Sequence, residues 1–317
     1  MSILSTLRKE PWTITLVVLI LLAAINTFLQ PSFIEAGVLQ SNLTTFLPLI
    51  LVAIGQTYVI LGGDIDLSVG SIAALVNVVT VSVIAAIGGD DAGIGAIWIG
   101  LGVGILVGLA CGIINGIFIA VLRLQAIVTT FASGIVFAGL AIWVMPQAGL
   151  SVPQAYWETY AGSMLELPIV LWILIAAFAF ALTLSRMPFH THLLAAGGNR
   201  AGAFQTGLRL NAIRIGAYAI SGCFSAFAAL CLTGETASGD PLLGATLALS
   251  SVSAVVLGGT ALAGGFGSSL GSIAGALVLG LIGNVIFFAG MPFEYQTLVQ
   301  GLIVLAALAG GVFVTRR

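Results

Sequence analysis

The amino-acid sequence predicts an all-α polytopic membrane protein with about ten transmembrane helices. Of its 317 residues, 60% are hydrophobic and only 6% are charged, and the mean hydropathy is +1.20. Soluble domains carry about 25% charged residues, so this chain lacks the polar side chains needed to cover its surface in water. The 41 glycines indicate closely packed helices. This composition excludes a soluble enzyme and a nucleic-acid-binding protein, and we expect one transmembrane domain over residues 1–317.

Apolar runs define the predicted helices, because about 20 apolar residues cross the hydrocarbon core. The first run, Trp12–Leu29, follows basic residues but has span length and lacks the small-residue exit of a cleaved signal peptide. Further runs cover residues 43–61, 70–87, 94–122, 127–145, 168–185, 213–233, 247–257, 268–289 and 296–314. The run at 247–257 is the shortest of the ten.

The charged residues orient these helices, because lysine and arginine collect on the cytoplasmic side of a membrane. With the N-terminus inside, all nine basic residues fall in inner segments. They are Arg8, Lys9, Arg123, Arg186, Arg200, Arg209, Arg214, Arg316 and Arg317. The acidic residues of the outer segments are Glu35, Asp90, Asp91, Glu158, Glu166, Glu235, Asp240 and Glu294. We therefore expect both termini in the cytoplasm.

Two stretches of the chain resemble each other. Residues 59–63 read Val-Ile-Leu-Gly-Gly and precede a Gly-Ser-Ile-Ala sequence at 70–73. Residues 255–259 read Val-Val-Leu-Gly-Gly and precede the same four residues at 271–274. Each copy is a span, a glycine-rich break and another span, and parallel repeats of this kind place a transport pathway between the copies. The alternative is two chance breaks in a glycine-rich chain.

The fourth predicted span carries a stripe of glycines four residues apart. The stripe consists of Gly100, Gly104, Gly108, Gly112 and Gly116. It leaves one helix face without side chains, so another helix can approach closely. Asn115 lies beside the stripe, and its amide needs a partner in hydrocarbon, either on a neighbouring helix or in a passage.

The segment 62–71, Gly-Gly-Asp-Ile-Asp-Leu-Ser-Val-Gly-Ser, interrupts apolar sequence. Irregular backbone survives at membrane depth only where protein or water encloses it. We expect Asp66 to accept hydrogen bonds from the amides that open the next helix, beside the positive end of its dipole. For Asp64 three environments are open: a polar cavity, contact with hydroxyl-bearing cargo, or solvent at the cytoplasmic mouth, which we favour.

The segment 186–214 is the long cytoplasmic connection. Asn199 is placed as an N-cap and Gly207 as a C-terminal stop, which together predict a helix of about two turns outside the membrane. So short a helix is unstable alone and must dock on this chain or on a partner. Phe204 offers an apolar contact for either.

The sequence predicts neither a metal site nor a nucleotide site. Cys111, Cys223 and Cys231 lie in apolar runs, where buried thiols are typical. His190 and His192 lie in the basic connection without cysteine or carboxylate neighbours, so we expect them to be solvated. The single lysine, Lys9, has no glycine-rich phosphate loop before it.

Several motifs together resemble the permease subunits of bacterial ABC importers for ribose and other simple sugars. The most specific is Ile65-Asp66-Leu67-Ser68-Val69-Gly70-Ser71, which follows Gly-Gln-Thr-Tyr-Val-Ile at 55–60. Three weaker matches follow in order: Asn115-Gly116 with Ile-Val-Thr at 127–129, Ala-Gly-Gly-Asn at 196–199, and Val-Leu-Gly-Gly-Thr at 256–260 with later glycines. The resemblance extends from about residue 51 to the C-terminus.

The resemblance implies a fold, partners and site residues. Such a permease has the vitamin B12 importer (type II) fold and lies in the bacterial inner membrane. It pairs with a second permease subunit, a periplasmic sugar-binding protein and an ABC ATPase subunit that binds ATP and Mg. The family likeness implies a coupling helix, and the candidate coupling residues are Gly197, Gly198, Asn199, Arg200, Phe204 and Gly207. A passage of amides, hydroxyls and carboxylates suits a monosaccharide or polyol, and its candidate residues are Gln56, Asp64, Asp66, Ser68, Asn115, Thr129 and Thr130.

The chain also departs from the pattern that we associate with this family. Asp64 stands where glycine is common, which adds a carboxylate for cargo or for a local polar contact. Acidic residues common before the second Gly-Gly are replaced by residues 248–253, and Phe266 replaces a common arginine. The two departures in the second repeat suit a permease that works beside a non-identical partner.

Two other functions compete with the importer. An ion-coupled secondary transporter would use Asp64 and Asp66 near the broken helix to bind a proton or a sodium ion. An intramembrane aspartyl protease would need two carboxylates on separate helices, whereas these two share one segment. Enzyme activity is therefore not expected.

Overall fold

The computed structural model describes residues 12–89 and 92–292, and beyond them residues 295, 298, 299, 301, 302 and 305. Its α-helices in chain order are α1 (Trp12–Leu29), α2 (Ala36–Leu61), α3 (Val69–Gly88), α4 (Ile94–Ala120), α5 (Ala126–Val144), α6 (Gln154–Ala161), α7 (Ile169–Arg186), α8 (Pro188–Gly198), α9 (Arg200–Gln205), α10 (Leu210–Thr236), α11 (Leu247–Leu257) and α12 (Ser269–Phe288). A 3-10 turn, Pro31–Ile34, joins α1 to α2.

The helices confirm a polytopic, nearly all-helical protein. Within the described ranges, seven helices are long and apolar enough to cross a membrane: α2, α3, α4, α5, α7, α10 and α12. The bounds of most lie within three residues of the predicted runs, although α2 begins at Ala36 rather than at residue 43. Residues 90, 91 and 294, which carry three of the predicted outer acids, and the tenth run at 296–314 lie outside the continuously described residues.

The predicted eighth run forms a helix with the predicted bounds, but this helix is shorter than the seven of span length. Helix α11 has 11 residues and reaches about 16 Å, roughly half of the hydrocarbon core. The chain before it, residues 237–246, is not helical and runs beside α3. Ser238 O and Asp240 N–H are hydrogen-bonded to the side chain of Asn77, and Gly244 lies against Gly70. This stretch therefore combines a two-residue strand, a run of turns and a short helix.

The glycine stripe packs α4 against two helices and confirms the structural prediction. Gly100 and Gly104 face Thr80 and neighbouring side chains of α3. Gly108 and Gly112 lie against the backbone of α10, where a Cβ at Gly112 would overlap the Tyr218 carbonyl. All stripe glycines are buried. Close backbone approach thus packs α4 directly against α3 and α10.

The two repeat copies end their first helices in the same way, which supports a true repeat. Gly63 and Gly259 both have left-handed backbones, with φ of +81° and +85°. In the first copy Asp64 N–H donates to Val59 O, and in the second Thr260 N–H donates to Val255 O, both at 3.2 Å. This six-to-one bond is the Schellman termination, which glycine favours. We call residues 62–68 the first break and residues 258–268 the second break.

Short connections cover the end of the bundle opposite these breaks. Strand β1 (Leu150–Ser151) pairs antiparallel with β4 (Ser238–Gly239), so that Leu150 faces Gly239. Strands β2 (Ser163–Met164) and β3 (Leu167–Pro168) form a tight hairpin. Between the two sheets, α6 lies on α10 through Tyr156, whose hydroxyl donates to Leu230 O at 2.9 Å.

Candidate translocation and coupling site

The first break turns back into the bundle instead of leaving it. After the turn at Gly63, the chain runs beside the last turns of α2. The side-chain amide of Gln56 pairs with the backbone of Asp66, with 3.2 Å from each amide atom to its main-chain partner in the orientation that satisfies both bonds. Gln56 lies about 7 Å above the end of α2 along the helix axis. The break therefore enters the helical layer, enclosed by protein as irregular backbone requires.

Asp66 is the centre of a buried hydrogen-bond network. Its carboxylate accepts from Ser68 N–H at 2.9 Å, from Ser68 Oγ at 2.6 Å and from Ser221 Oγ at 3.0 Å. Asn115 Nδ2 donates to Ser68 Oγ at 2.8 Å. Within the described residues, Asp66 has no salt-bridge partner, so hydroxyl and amide donors alone stabilise it. The N-cap residue of α3 is Ser68, and Asp66 holds the amide of that residue rather than an amide inside the helix.

Two threonines at the start of α5 behave differently. Thr130 Oγ1 accepts from Leu67 N–H at 3.1 Å and donates to Ala126 O at 2.9 Å, so it ties α5 to the first break. Thr129 donates to Gln125 O within its own helical turn. The structure thus brings together Gln56, Asp66, Ser68, Asn115 and Thr130, and leaves Thr129 beside them. Their role in lining a passage stays a prediction.

Asp64 is not solvated, contrary to the environment we favoured. Arg214 of α10 binds it with two parallel bonds, Nε to Oδ2 at 2.8 Å and Nη2 to Oδ1 at 2.7 Å. Arg214 Nη1 also donates to Ile119 O at 3.0 Å. The side chains of Arg214 and Asp64 are only 12% and 10% exposed. The extra carboxylate therefore makes a local polar contact that joins the first break to α4 and α10.

The predicted short helix is present, and its cap and stop are confirmed. Asn199 Oδ1 accepts from Gly202 N–H at 2.9 Å and caps α9. Gly207, with φ of +81°, follows the end of that helix. Phe204 is 71% exposed. Sequence reasoning missed the helix before it, α8, although Pro188 in its first turn is a start signal.

Three pairs of glycines meet where α8 ends. We call residues 62–63, 197–198 and 264–265 the glycine junction. Gly265 N–H donates to Leu61 O at 2.9 Å. A Cβ on Gly197 would overlap that same carbonyl oxygen, and one on Gly264 would lie 2.7 Å from the Gly63 nitrogen. The segment that leads into α9 therefore meets the end of α2 and the second break through backbone atoms, and the Leu193 side chain of α8 lies against Gly62 of the first break.

The comparisons with known proteins decide the family. A family described as the permease component of the branched-chain amino acid transport system matches residues 38–308. The chain belongs to this permease family. Among relatives, the ribose import permease RbsC of Bacillus subtilis is 32% identical, covering 92% of this chain and 89% of the relative. The L-arabinose permease AraH of Azospirillum brasilense is 31% identical over 93% and 85%.

A third relative, the autoinducer 2 import permease LsrC of Escherichia coli, is 30% identical over 91% of this permease and 84% of LsrC. No solved structure matches the chain. The permease is a ribose-type transport subunit of the membrane and not an enzyme. Permeases of ABC importers work with an ATPase and a substrate-binding protein, and these are its general partners.

The sequence analysis missed one structural residue of the permease and was wrong about the environment of another. Asn77 of α3 donates to Thr233 Oγ1 at 2.7 Å and to Ser238 O at 3.2 Å, and accepts from Asp240 N–H at 2.7 Å. An amide within an apolar run was the signal that marks it. His190 was expected to be solvated, but it is half-buried edge-on against Tyr58, and burial lowers its pKa.

Proposed function

We propose that this permease forms the membrane pathway of an ATP-driven importer for a monosaccharide or a related polyol. The observation that carries the mechanism is the glycine junction, where the start of the coupling segment lies against both breaks. The cargo class is supported by relatives that are named for ribose, L-arabinose and autoinducer 2. The pathway forms between two permease subunits in a type II arrangement. The permease lies in the bacterial inner membrane, with both of its termini in the cytoplasm.

The ATPase subunit docks on α9. It binds ATP and Mg within its own chain. The contact surface consists of Gly197, Gly198, Asn199, Arg200, Phe204 and Gly207. The exposed ring of Phe204 supplies an apolar anchor, and the Asn199 cap holds the helix in register. Because α9 has only 6 residues, its position depends on what it touches. A shift of α9 that follows ATP binding is passed through the glycine junction to the two breaks.

The periplasmic sugar-binding protein docks on the opposite end of the permease. Glu158, Glu166 and Glu235 are exposed there. The predicted outer segments contain no lysine or arginine, so the charged contacts come from basic residues of the binding protein. ATP then closes the ATPase dimer, the cytoplasmic helices move, and the subunit interface opens first outward and afterwards inward.

The carboxylate contacts disfavour the ion-coupled alternative. Asp64 is already neutralised by the bidentate bond from Arg214. Asp66 already accepts three hydrogen bonds from serines and the backbone. Asp64 therefore offers no free charge to a coupling ion, and the relatives named as import permeases support the importer over the secondary transporter.

The proposed function is tested by co-purification with the ATPase. Tagged permease is purified from membranes that also contain a candidate ATPase and neighbouring permease, and ATP hydrolysis is measured with sugar-loaded binding proteins. We expect one loaded binding protein to stimulate hydrolysis. Deletion of residues 200–206 should leave a folded permease that no longer retains the ATPase. If the permease that lacks residues 200–206 retains the ATPase as the full chain does, α9 is not the coupling helix.

A further inference from the structure

The chain that precedes α11 descends through the membrane layer without forming a helix. Helix α3, which it follows, is a membrane span of about 30 Å that starts at Val69. A Cβ on Gly239 would lie 3.4 Å from Val81, which is about 18 Å along α3 from its start. A Cβ on Gly70, in the first turn of α3, would overlap the Gly244 carbonyl oxygen. Residues 239–244 therefore descend beside about half of a membrane span.

The main chain at the lower end of this descent has unpaired hydrogen-bonding groups. Among the described residues, the main-chain N–H groups of Gly244, Ala245 and Thr246 have no hydrogen-bond acceptor. Ala245 and Thr246 are also exposed. Lipid offers no partner for such groups, and non-helical main chain occurs at membrane depth only inside protein or beside water. Water or another protein chain must therefore cover this part of the surface.

Helix α11 continues this polar surface with hydroxyl groups. Thr246, Ser250 and Ser253 are spaced four and three residues apart, which places them on one helix face. Ser253 Oγ donates to Leu249 O at 2.9 Å. The hydroxyls of Thr246 and Ser250 have no partner in the part of the chain that the structure describes. Thr246 is exposed and Ser250 is half-buried, so both hydroxyls are open to a partner outside this subunit.

The internal repeat provides a comparison for this face. Aligning the two Gly-Gly pairs places Thr246 at the position of Ile50 and Ser250 at the position of Ile54. Both isoleucines are 0% exposed, and they lie in the continuous helix α2. The second copy therefore has hydroxyls on an open face where the first copy has buried apolar side chains. Packing within one subunit does not account for this difference.

We propose that the face of residues 244–250 that carries Thr246 and Ser250 lines the water-filled passage at the interface of two permease subunits. The proposal rests on the proposed function, which places the passage between subunits. Three main-chain N–H groups and two hydroxyls offer hydrogen bonds without charge, which suits water and an uncharged polyol. Asp66, Ser68 and Asn115, which were predicted from the sequence as passage residues, are by contrast 0% exposed.

Cysteine labelling in membranes tests this placement. Thr246→Cys and Leu106→Cys are made in the full-length permease, and permeabilised membranes are treated with the charged, water-soluble reagent sodium (2-sulfonatoethyl)methanethiosulfonate. Leu106 is the matched control, because it is 64% exposed but lies in the middle of the continuous helix α4. Only a thiolate reacts and a thiol in lipid stays protonated, so Thr246→Cys should react at least about tenfold faster. The unsubstituted permease gives the background from the native cysteines, of which Cys111 and Cys231 are buried.

Equal labelling rates for Thr246→Cys and Leu106→Cys would overturn the proposal. A disulfide between two copies of Thr246→Cys without labelling would also overturn it, because that result assigns the face to a dry contact between subunits. Ser250→Cys, one turn further along α11, should likewise react faster than the control, and a rate equal to that of Leu106→Cys would overturn its assignment. Unchanged melting temperatures establish that the variants fold.

Sugar uptake separates the passage from any other hydrated surface. The sulfonate attached to Thr246→Cys should reduce uptake of the sugar whose loaded binding protein stimulates ATP hydrolysis, and dithiothreitol should restore it. Complete labelling with unchanged uptake would overturn the passage assignment. Labelling needs neither ATPase nor sugar, so an unreactive Thr246→Cys in a permease that retains the ATPase refutes the placement alone. A reactive Thr246→Cys in a permease that retains no ATPase refutes the importer alone.

Discussion

Replacing Gly197 with alanine tests the glycine junction directly. The added Cβ would overlap the Leu61 carbonyl oxygen and lie 2.7 Å from the Gly265 nitrogen. Both are backbone atoms, so no side-chain rotation relieves the contact. Overpacking of this kind costs about 1–3 kcal/mol. Moving the segments of the junction apart also weakens the hydrogen bond from Gly265 N–H to Leu61 O, which contributes about 1 kcal/mol. We expect destabilisation of about 3 kcal/mol.

The matched control is the neighbouring glycine. A Cβ on Gly198 has its nearest atom at 3.7 Å, an ordinary contact with Gly265 Cα. Gly198 also belongs to α8, so both substitutions carry a similar gain in helix propensity. Gly198→Ala should therefore leave stability within about 0.5 kcal/mol of the original chain.

The assay combines unfolding with coupling. Each variant is purified with the ATPase, and its free energy of unfolding and its sugar-stimulated ATP hydrolysis are measured. We expect Gly197→Ala to lower both, and Gly198→Ala to lower neither. Equal behaviour of the two variants would refute the packing argument. A destabilised Gly197 variant with full stimulation would refute the transmission of movement through the junction.

Three further substitutions probe separate contacts. Asp64→Asn should destabilise the permease by about 3 kcal/mol, because it leaves the largely buried Arg214 without its ion pair; adding Arg214→Gln should cost less than the sum of the single losses in a double-mutant cycle. Asn77→Ala should cost about 2–3 kcal/mol in thermal unfolding because three hydrogen bonds are lost, against about 1 kcal/mol for Asn284→Ala, which loses its bond to Asn42; equal losses would contradict this. Burial lowers the folded-state pKa of His190, so the unfolded chain binds the proton first and stability should fall as the pH drops below the ordinary value of 6.5; His190→Gln should flatten that pH dependence in melting curves, and an unchanged slope would assign it elsewhere.

Local patterns predicted local structure well. Apolar run length located most helices, the four-residue glycine spacing predicted the close packing of α4, and Asn199 with Gly207 predicted the ends of α9. Each of these inferences depends on residues within a few turns of one another. Helix propensity, capping residues and the small size of glycine can each be recognised within a short stretch of the sequence.

Contacts between distant segments were not predictable from one sequence. Asp64 and Arg214 are 150 positions apart, and the sequence around either residue does not indicate the other as its partner. The three glycine pairs of the junction were visible singly, but their meeting depends on the packing of α8 against both repeats. Helix α11 has the bounds of the predicted run but is too short to cross the hydrocarbon core alone. The turns before it contact Asn77 and Gly70 of α3, which no local pattern indicates.

That half-helical stretch bears on how the protein is made. A helix of 11 residues is too short to partition into a bilayer as an independent span. The non-helical backbone of residues 237–246 needs acceptors and donors, of which α3 and its neighbours supply a part, since lipid offers none. The second repeat must therefore wait for the first to be in place, and the order of insertion during synthesis, from the N-terminal half to the C-terminal half, matches that dependence.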